Sequence, residues 1–379
     1  MKKHKTITFF QGALMRKVGK IMLILLSVLI FCIITLVVIL LIQSPGKVKP
    51  LVDKNRSVIK GSISEKAYVK INGVNMGMII KSKDASNPVL LFVHGGPGMP
   101  EYPFTEKYPT CLEDHFTVVW WDQRGSGLSY KSGMPKEKMT TEQFVSDTIE
   151  ISKYLCSRFG QDKIYLMAHS WGSYIGIQAA AKAPQLYHAY IGVGQISNQM
   201  ESEKIAYDYM LKYYKAAGDE KTVDKLQKLS FKTMDHMPKE YNRVRDGVMH
   251  RAGIGTTHNM NSVVTGIFMP VMQNSEYTLG EKINIWRGKA FSSSTVLSKD
   301  LYSTDLTTKV TKLDIPVYFF SGIYDYTVNH SMSEAYLKKI QAPVKGFYLF
   351  KQSAHSPMFE EPEKVMQIMQ EDVKNKINT

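Results

Sequence analysis

Residues 163–181 read KIYLMAHSWGSYIGIQAAA, and this stretch decides the fold. Lys163–Met167 is a short run dominated by apolar side chains, the pattern of a strand buried on both faces of a sheet. From Trp171 to Ala183 the chain is rich in small residues at helical spacing. Between the two lies Ala168-His169-Ser170-Trp171-Gly172, a variant of G-x-S-x-G. A strand that turns at once into a helix folds the chain sharply, so the positions two before and two after the serine must be small. Alanine and glycine both meet that limit. Ser170 is therefore expected on an elbow, its hydroxyl placed to attack a carbonyl.

Working outward, the same strand–helix rhythm recurs. Ile63–Ile71 and Asn75–Lys83 read as a hairpin about Asn72-Gly73. The apolar run PVLLFV (88–93) ends in His94-Gly95-Gly96-Pro97-Gly98, and FTVVWW (116–121) ends in Asp122-Gln123-Arg124-Gly125. Thr140 or Thr141 caps a helical pattern through about Arg158, and Ala189–Val193 is a further strand. The rhythm breaks over 196–305, where helical pieces (Glu201–Ala217, Thr222–Met234) replace strands. It resumes with PVYFFS (316–321), a helix near Met332–Ile340, a strand at Lys345–Lys351 and a helix from about Pro362. Such alternation implies a mostly parallel sheet flanked by helices, with right-handed crossovers, and the middle block reads as an inserted helical cap.

A serine nucleophile needs a base, and the base an acid, in the chain order serine, acid, histidine for a sheet of this kind. Asp325 follows PVYFFS, and His355 follows KGFYLF. Both fall just after strands, where ligands collect in open α/β sheets. The expected oxyanion donors are the main-chain N–H of Trp171 and those of Gly95 and Gly96. Asp122 and Arg124 read as loop-holding residues.

Taken together, HGGPG (94–98), WWDQRGSGLS (120–129), HSWGS (169–173), SGIYDYTV (321–328) and the His355 segment resemble the proline iminopeptidase group of α/β-hydrolases. The resemblance spans roughly residues 60–379. It implies an α/β-hydrolase core (61–195 and 306–379) with a helical cap (196–305), and a Ser170–His355–Asp325 triad working through an acyl-enzyme. It also implies release of N-terminal residues, proline above all, from short peptides, with cap carboxylates receiving the free amine; Glu201 and Glu203 are the candidates. The elbow departs from the group's usual Gly-Gly-Ser-Trp-Gly by Ala168-His169. The alternatives are a carboxylesterase of small acyl esters, acyl transfer to an acceptor other than water, and a small-molecule sensor without turnover on the same fold.

Other chemistries lack their signatures. There is no H-E-x-x-H, no Cys/His cluster at metal spacing, no complete dinucleotide loop and no Walker-type loop, so neither metal nor cofactor is expected. Six of the +14 net charge come from Lys2, Lys3, Lys5, Arg16, Lys17 and Lys20, and the lysines behind the remaining +8 are scattered rather than striped, which argues against nucleic acid. Three cysteines, Cys32, Cys111 and Cys156, do not make a disulfide framework.

Ile21–Ile42 (IMLILLSVLIFCIITLVVILLI) carries no charge over 22 residues. As a helix it is about 33 Å long, enough to span a bilayer core of about 30 Å. It exceeds the apolar region of a cleaved signal peptide. The reading is a basic tail (1–20), a single transmembrane helix (21–42) and a polar linker (43–60) holding the globular part clear of the membrane. Arg16, Lys17 and Lys20 abut the span, which places the N-terminus in the cytoplasm and the catalytic part outside it.

Overall fold

The computed structural model describes residues 2–231 and 237–378; the side chains of residues 2–14 and 16 fall outside that description. Its centre is an eight-stranded sheet in the order β1-β2-β4-β3-β5-β6-β7-β8. β1 (Ile63–Ile71) and β2 (Val74–Ser82) form the expected hairpin, with Asn72 and Gly73 both at positive φ, the geometry of a tight two-residue turn. β2 runs antiparallel to β4 (Thr117–Trp121). From there β4, β3 (Val89–Val93), β5 (Ile164–His169), β6 (Tyr187–Val193), β7 (Val317–Gly322) and β8 (Lys345–Phe350) are all parallel.

Every residue of β3, β4 and β5 is buried. That is why these strands read as continuous apolar runs rather than alternating ones. Successive side chains serve opposite layers: Trp121 packs with Val93 and Tyr174 on one face, and Trp120 with Phe92 and Phe116 on the other.

Helix α1 (Lys2–Ile42) precedes the sheet. Helix α2 (Thr141–Phe159) starts where Thr140 accepts from the Gln143 N–H, and stops at Gly160 in the left-handed region. Helix α3 (Trp171–Lys182) follows β5 directly. The cap contributes α4 (Gln199–Ala216), α5 (Glu220–Lys228), α6 (Lys239–Arg251), α7 (Met269–Gln273), α8 (Leu279–Ser293) and α9 (Leu297–Ser303). The helix expected over Thr222–Met234 is thus α5, earlier by a few residues, and residues 232–234 lie outside the described ones. The cap has its own apolar core, with Tyr207, Met210, Phe231, Tyr241 and Met249 buried together.

Two findings bear on the N-terminal segment. None of the apolar part of α1 from Lys17 to Ile42 is buried against the rest of the chain, so it is not a core helix. The start of the linker packs on the body. Ser44 is buried and accepts from Lys282 Nζ at 2.7 Å, Pro45 bridges Thr278, and the Gly46 N–H donates to the Ser275 carbonyl at 3.1 Å. The polar composition of 43–60 hid this docking because the contacts are mostly main-chain ones.

Candidate active site

The carboxyl ends of β3, β5, β6, β7 and β8 meet at one rim. At the end of β5, Ser170 has φ 55° and ψ −123°, an uncommon conformation for a residue with a side chain. It is held by its own N–H to the Val193 carbonyl (3.0 Å) and by the Ser173 N–H to its carbonyl (2.8 Å). The helix leaves so close to β3 that a Cβ on Gly172 would stand 2.0 Å from the Val93 carbonyl oxygen. Ala168 keeps ordinary strand geometry. Its methyl fits because residue 176 opposite is glycine, where a Cβ would come within 2.7 Å of it.

His355 Nδ1 lies 2.9 Å from Asp325 Oδ2, and both residues are buried. Asp325 is fixed through its other oxygen by the Val328 N–H at 2.8 Å. The carboxylate accepts from the Nδ1–H, which leaves Nε2 as the bare nitrogen; Nε2 is buried and has no partner among the described residues. Gly194, after β6, makes room for this pair. A Cβ there would lie 2.8 Å from His355 Cε1 and 3.3 Å from Asp325 Oδ2.

A second buried pair stands beside the first. His169 Nδ1 is 2.8 Å from Glu101 Oε1, and His169 Nε2 is 2.9 Å from the main-chain carbonyl of His355. Both partners are acceptors, so both ring nitrogens must donate and the ring is an imidazolium. The electrostatics agree. Burial alone would disfavour charge on either group, yet the Glu101 carboxylate holds His169 above the usual histidine range and His169 holds Glu101 below the usual carboxylate range. His94, at the end of β3, shows the contrast. Its Nδ1 faces the Gly95 carbonyl and its Nε2 accepts from the Gln123 N–H, one donor and one acceptor. It is accordingly neutral, burial pushing it down to about 4.

Ser170, His169, His355 and Glu101 share a cavity of about 490 Å³. Its walls are partly apolar (Met99, Phe104 and Phe359 from the core, Met249 and Ile267 from the cap) and partly charged (Arg245, Asp246 and Lys289, all from the cap). A cavity of this size takes a dipeptide-sized ligand.

Residues 88–362 match the family described as the alpha/beta hydrolase fold. The chain belongs to the α/β-hydrolase family. It is a serine hydrolase of proline iminopeptidase-like sequence. A probable aminopeptidase of Bacillus subtilis, YbaC, is 32% identical over 308 residues, covering 80% of this chain and 94% of the relative. A proline iminopeptidase of Thermoplasma volcanium is 24% identical over 328 residues, covering 84% and 99%. Among solved structures, the proline iminopeptidase of Mycobacterium smegmatis superimposes with a TM-score of 0.57 at 16% identity, covering 82% and 98%, a likeness of fold.

Within this α/β-hydrolase, the expected site residues fall into two groups. Ser170, Asp325, His355, Gly95, Gly96 and Trp171 are brought to the one rim. The Gly95 N–H, however, expected as an oxyanion donor, is already engaged by Glu101 Oε1 at 2.8 Å. Glu201 and Glu203 are not open to a substrate amine. Glu201 lies in the first turn of α4, faces solvent and pairs with Lys204. Glu203 is fully buried and gripped by Arg245, through Nε at 2.7 Å and through Nη2, with Gln199 also donating. Residues two apart on a helix lie on different faces, and only the cap's packing decides which carboxylate goes inward.

Sequence reasoning missed Glu101, Arg245 and Asp246, and used His169 only as an elbow letter. The signal for the first pair was present: an acid three residues after HGGPG and a histidine directly before the nucleophile. Asp122 and Arg124 prove structural. Arg124 grips Asp147 in a buried two-point pair, and Asp122 accepts from the Leu128 N–H and from Tyr277.

Proposed function

We propose that the chain is a membrane-anchored serine aminopeptidase that removes N-terminal residues, proline among them, from short peptides through an acyl-enzyme. Ser170 Oγ attacks the scissile carbonyl while His355 Nε2 takes its proton. Asp325 holds the Nδ1 proton and stabilises the imidazolium. The tetrahedral oxyanion accepts from the main-chain N–H groups of Trp171 and Gly96, since Glu101 occupies that of Gly95. His355 then protonates the leaving amine, and water repeats the sequence on the ester. Asp246 is the cap carboxylate that takes the substrate's α-ammonium. Its side chain is about half open, and although burial works against its charge, Arg245 and Lys289 hold it below the usual range, so it stays ionised.

The observation that carries this reading is the His355–Asp325 pair at 2.9 Å with Nε2 unpartnered, in one cavity with an elbow serine. The names of the relatives support the aminopeptidase assignment. Anchoring is supported by an apolar helix with no buried part among the described residues, and the N-in orientation by Lys17 and Lys20 beside it.

The test is labelling by a fluorophosphonate followed by turnover of aminoacyl-arylamides against acyl esters. Wild type is expected to label, Ser170→Ala to be blank, and prolyl-arylamide to outpace acyl esters. Equal labelling of Ser170→Ala overturns the nucleophile; faster ester turnover overturns the peptidase assignment.

A further inference from the structure

The strongest feature that the proposed chemistry leaves unused is an apolar face beside the exit of α1. A helical stretch runs from Val264 to Gln273, wide-turned over Val264–Phe268 and regular from Met269. Its ten residues span about 15 Å, too short to cross a bilayer. Its outer side is open: Val264 is 58% exposed, Phe268 42% and Met269 38%. Phe268 packs on Trp286 of α8 at 5.4 Å between ring centroids. One turn earlier on α8, Ile283 is 46% exposed and extends the same patch. Monomeric proteins seldom leave large apolar side chains clustered in this way without a partner.

The location names that partner. Lys282 Nζ donates both to Ser44 Oγ and to the Met272 carbonyl, at 2.7 Å each. Ser44 is two residues past Ile42, where the apolar helix ends. Two residues of chain reach at most about 7 Å. Once α1 is in a bilayer, the membrane surface therefore begins beside the Met272 end of this stretch. Lys107, which donates to the Thr265 carbonyl, puts a cation at its border, where anionic headgroups lie. An apolar stripe with an aromatic residue and a bordering lysine is the composition of an interfacial helix.

We propose that this face, Val264–Gln273 with the start of α8, lies in the headgroup–acyl boundary of the anchoring bilayer and admits apolar-tailed substrates from the lipid to the cavity. The inference rests on the anchoring reading above. Its second half follows from the inner side of the same stretch: Val263, Gly266 and Ile267 line the cavity that holds Ser170 and His355. One layer of chain separates lipid from nucleophile. The substrate class is an amphiphile with a free aminoacyl end and an apolar tail, such as a lipid-linked amino acid or a hydrophobic peptide.

The experiment uses the full chain in vesicles of phosphatidylethanolamine and phosphatidylglycerol, with Cys111 and Cys156 changed to serine. Spin labels are placed singly at the native Cys32, at Phe268→Cys, at Ile283→Cys and at Lys338→Cys; all but the first also carry Cys32→Ser. Collisions with oxygen and with a water-soluble nickel chelate report depth. The expected result is deep immersion at 32, shallow immersion at 268 and 283, and water at 338. Water at 268 and 283 with immersion at 32 overturns the face while leaving the anchor standing. Water at 32 as well overturns the anchoring reading and the inference with it. Shielding of 268 and 283 from both reagents means a protein cover and also overturns the lipid assignment. In a second arm, Phe268→Glu with Ile283→Glu is expected to slow turnover of an acyl-chain-bearing aminoacyl amide in the vesicles about tenfold, through lost interfacial burial, and that of a soluble aminoacyl-arylamide by less than about twofold. Equal slowing of both substrates overturns entry from the lipid.

Discussion

Exchanging Glu101 for glutamine removes the charge of the buried His169 pair and keeps its shape. If the imidazolium stayed charged, the lost partner would cost about 3–5 kcal/mol. The ring has a cheaper route, which is to give up a proton. A neutral imidazole then has one N–H, and the new amide must choose between turning its oxygen to the Gly95 N–H and turning its NH2 to the ring, because Gly95 and His169 share one oxygen of Glu101. Every arrangement leaves one buried group without a partner (Nδ1, the His355 carbonyl or the Gly95 N–H), a cost of about 1–3 kcal/mol. The smaller figure decides the outcome. The carbonyl in question belongs to His355, whose ring takes the Ser170 proton in the mechanism proposed above, and a displacement of about 1 Å there lowers rate by about 100-fold. Glu101→Gln is therefore expected to lower kcat between about tenfold and 100-fold with little change in KM, and His169→Gln to do the same. Because the two residues act as one unit through His355, the double variant should lose little more than either single one. The coupling should exceed about 1 kcal/mol, against about 0.5 kcal/mol or less for independent sites. The pH profile adds a readout that mere destabilisation does not give. Glu101 has a lowered pKa, so its contribution is present above the ordinary carboxylate range and lost as pH falls through the lowered value. His169 has a raised pKa, so its contribution is present below the ordinary histidine range and lost as pH rises through the raised value. The groups facing the ring are Glu101, His94, His355 and Asp325, and His94 is neutral over this window. The wild-type advantage over Glu101→Gln should thus be a plateau about neutrality that closes at both ends. Steady-state kinetics on a soluble aminoacyl-arylamide measures it. Additive single effects, or an unchanged kcat in Glu101→Gln, would refute the argument.

Two further outcomes follow from buried groups outside the cavity. Burial raises Asp122 to about 8, so at neutral pH it is protonated, with Leu128 N–H and the Tyr277 hydroxyl as partners. The folded chain holds that proton more tightly than the unfolded one, so the group removes stability as pH rises from the unfolded value toward 8, by about 1.4 kcal/mol per unit. Asp122→Asn should cancel this slope; thermal melts in detergent from pH 6 to 8 should show the variant gaining steadily on wild type, and parallel curves would contradict it. Gly176→Ala should destabilise, because its methyl would stand 2.7 Å from that of Ala168, and adding Ala168→Gly should restore the melting temperature; no rescue would mean that the clash is not the cause.

The parts legible in the sequence were those written in short-range pattern. Strands buried on both faces announced themselves as apolar runs, and the positions of Ser170, Asp325 and His355 after such runs placed them at one rim before any coordinates. What stayed hidden depends on which distant surfaces touch. Glu101 lies 68 residues from His169, and no periodicity links them. Glu203 lies 42 residues from Arg245, and its burial is set by how α4 packs on α6. The linker's docking through Ser44 spans 238 residues to Lys282. Composition correctly called it polar; it could not show that its hydroxyl and amides had partners waiting.

These long-range contacts also explain the elbow's departure from the family pattern. With glycine at both positions before the serine, nothing projects from them. Here each added side chain meets a matching residue elsewhere. The Ala168 methyl occupies space freed by Gly176, and the His169 ring spans from Glu101 to the His355 carbonyl. The second match does more than fill space. It joins the loop after β3, the elbow after β5 and the loop after β8 into one hydrogen-bonded unit, and it takes up the Gly95 N–H in doing so. A histidine at 169 with no acid at 101 would bury an unpaired ring against a carbonyl, and an acid at 101 with no histidine would bury an unpaired carboxylate; each alone costs more than the glycine it replaces. The two residues are best regarded as a single change, and the electrostatics beside Ser170 differ accordingly from those of an elbow that begins with two glycines.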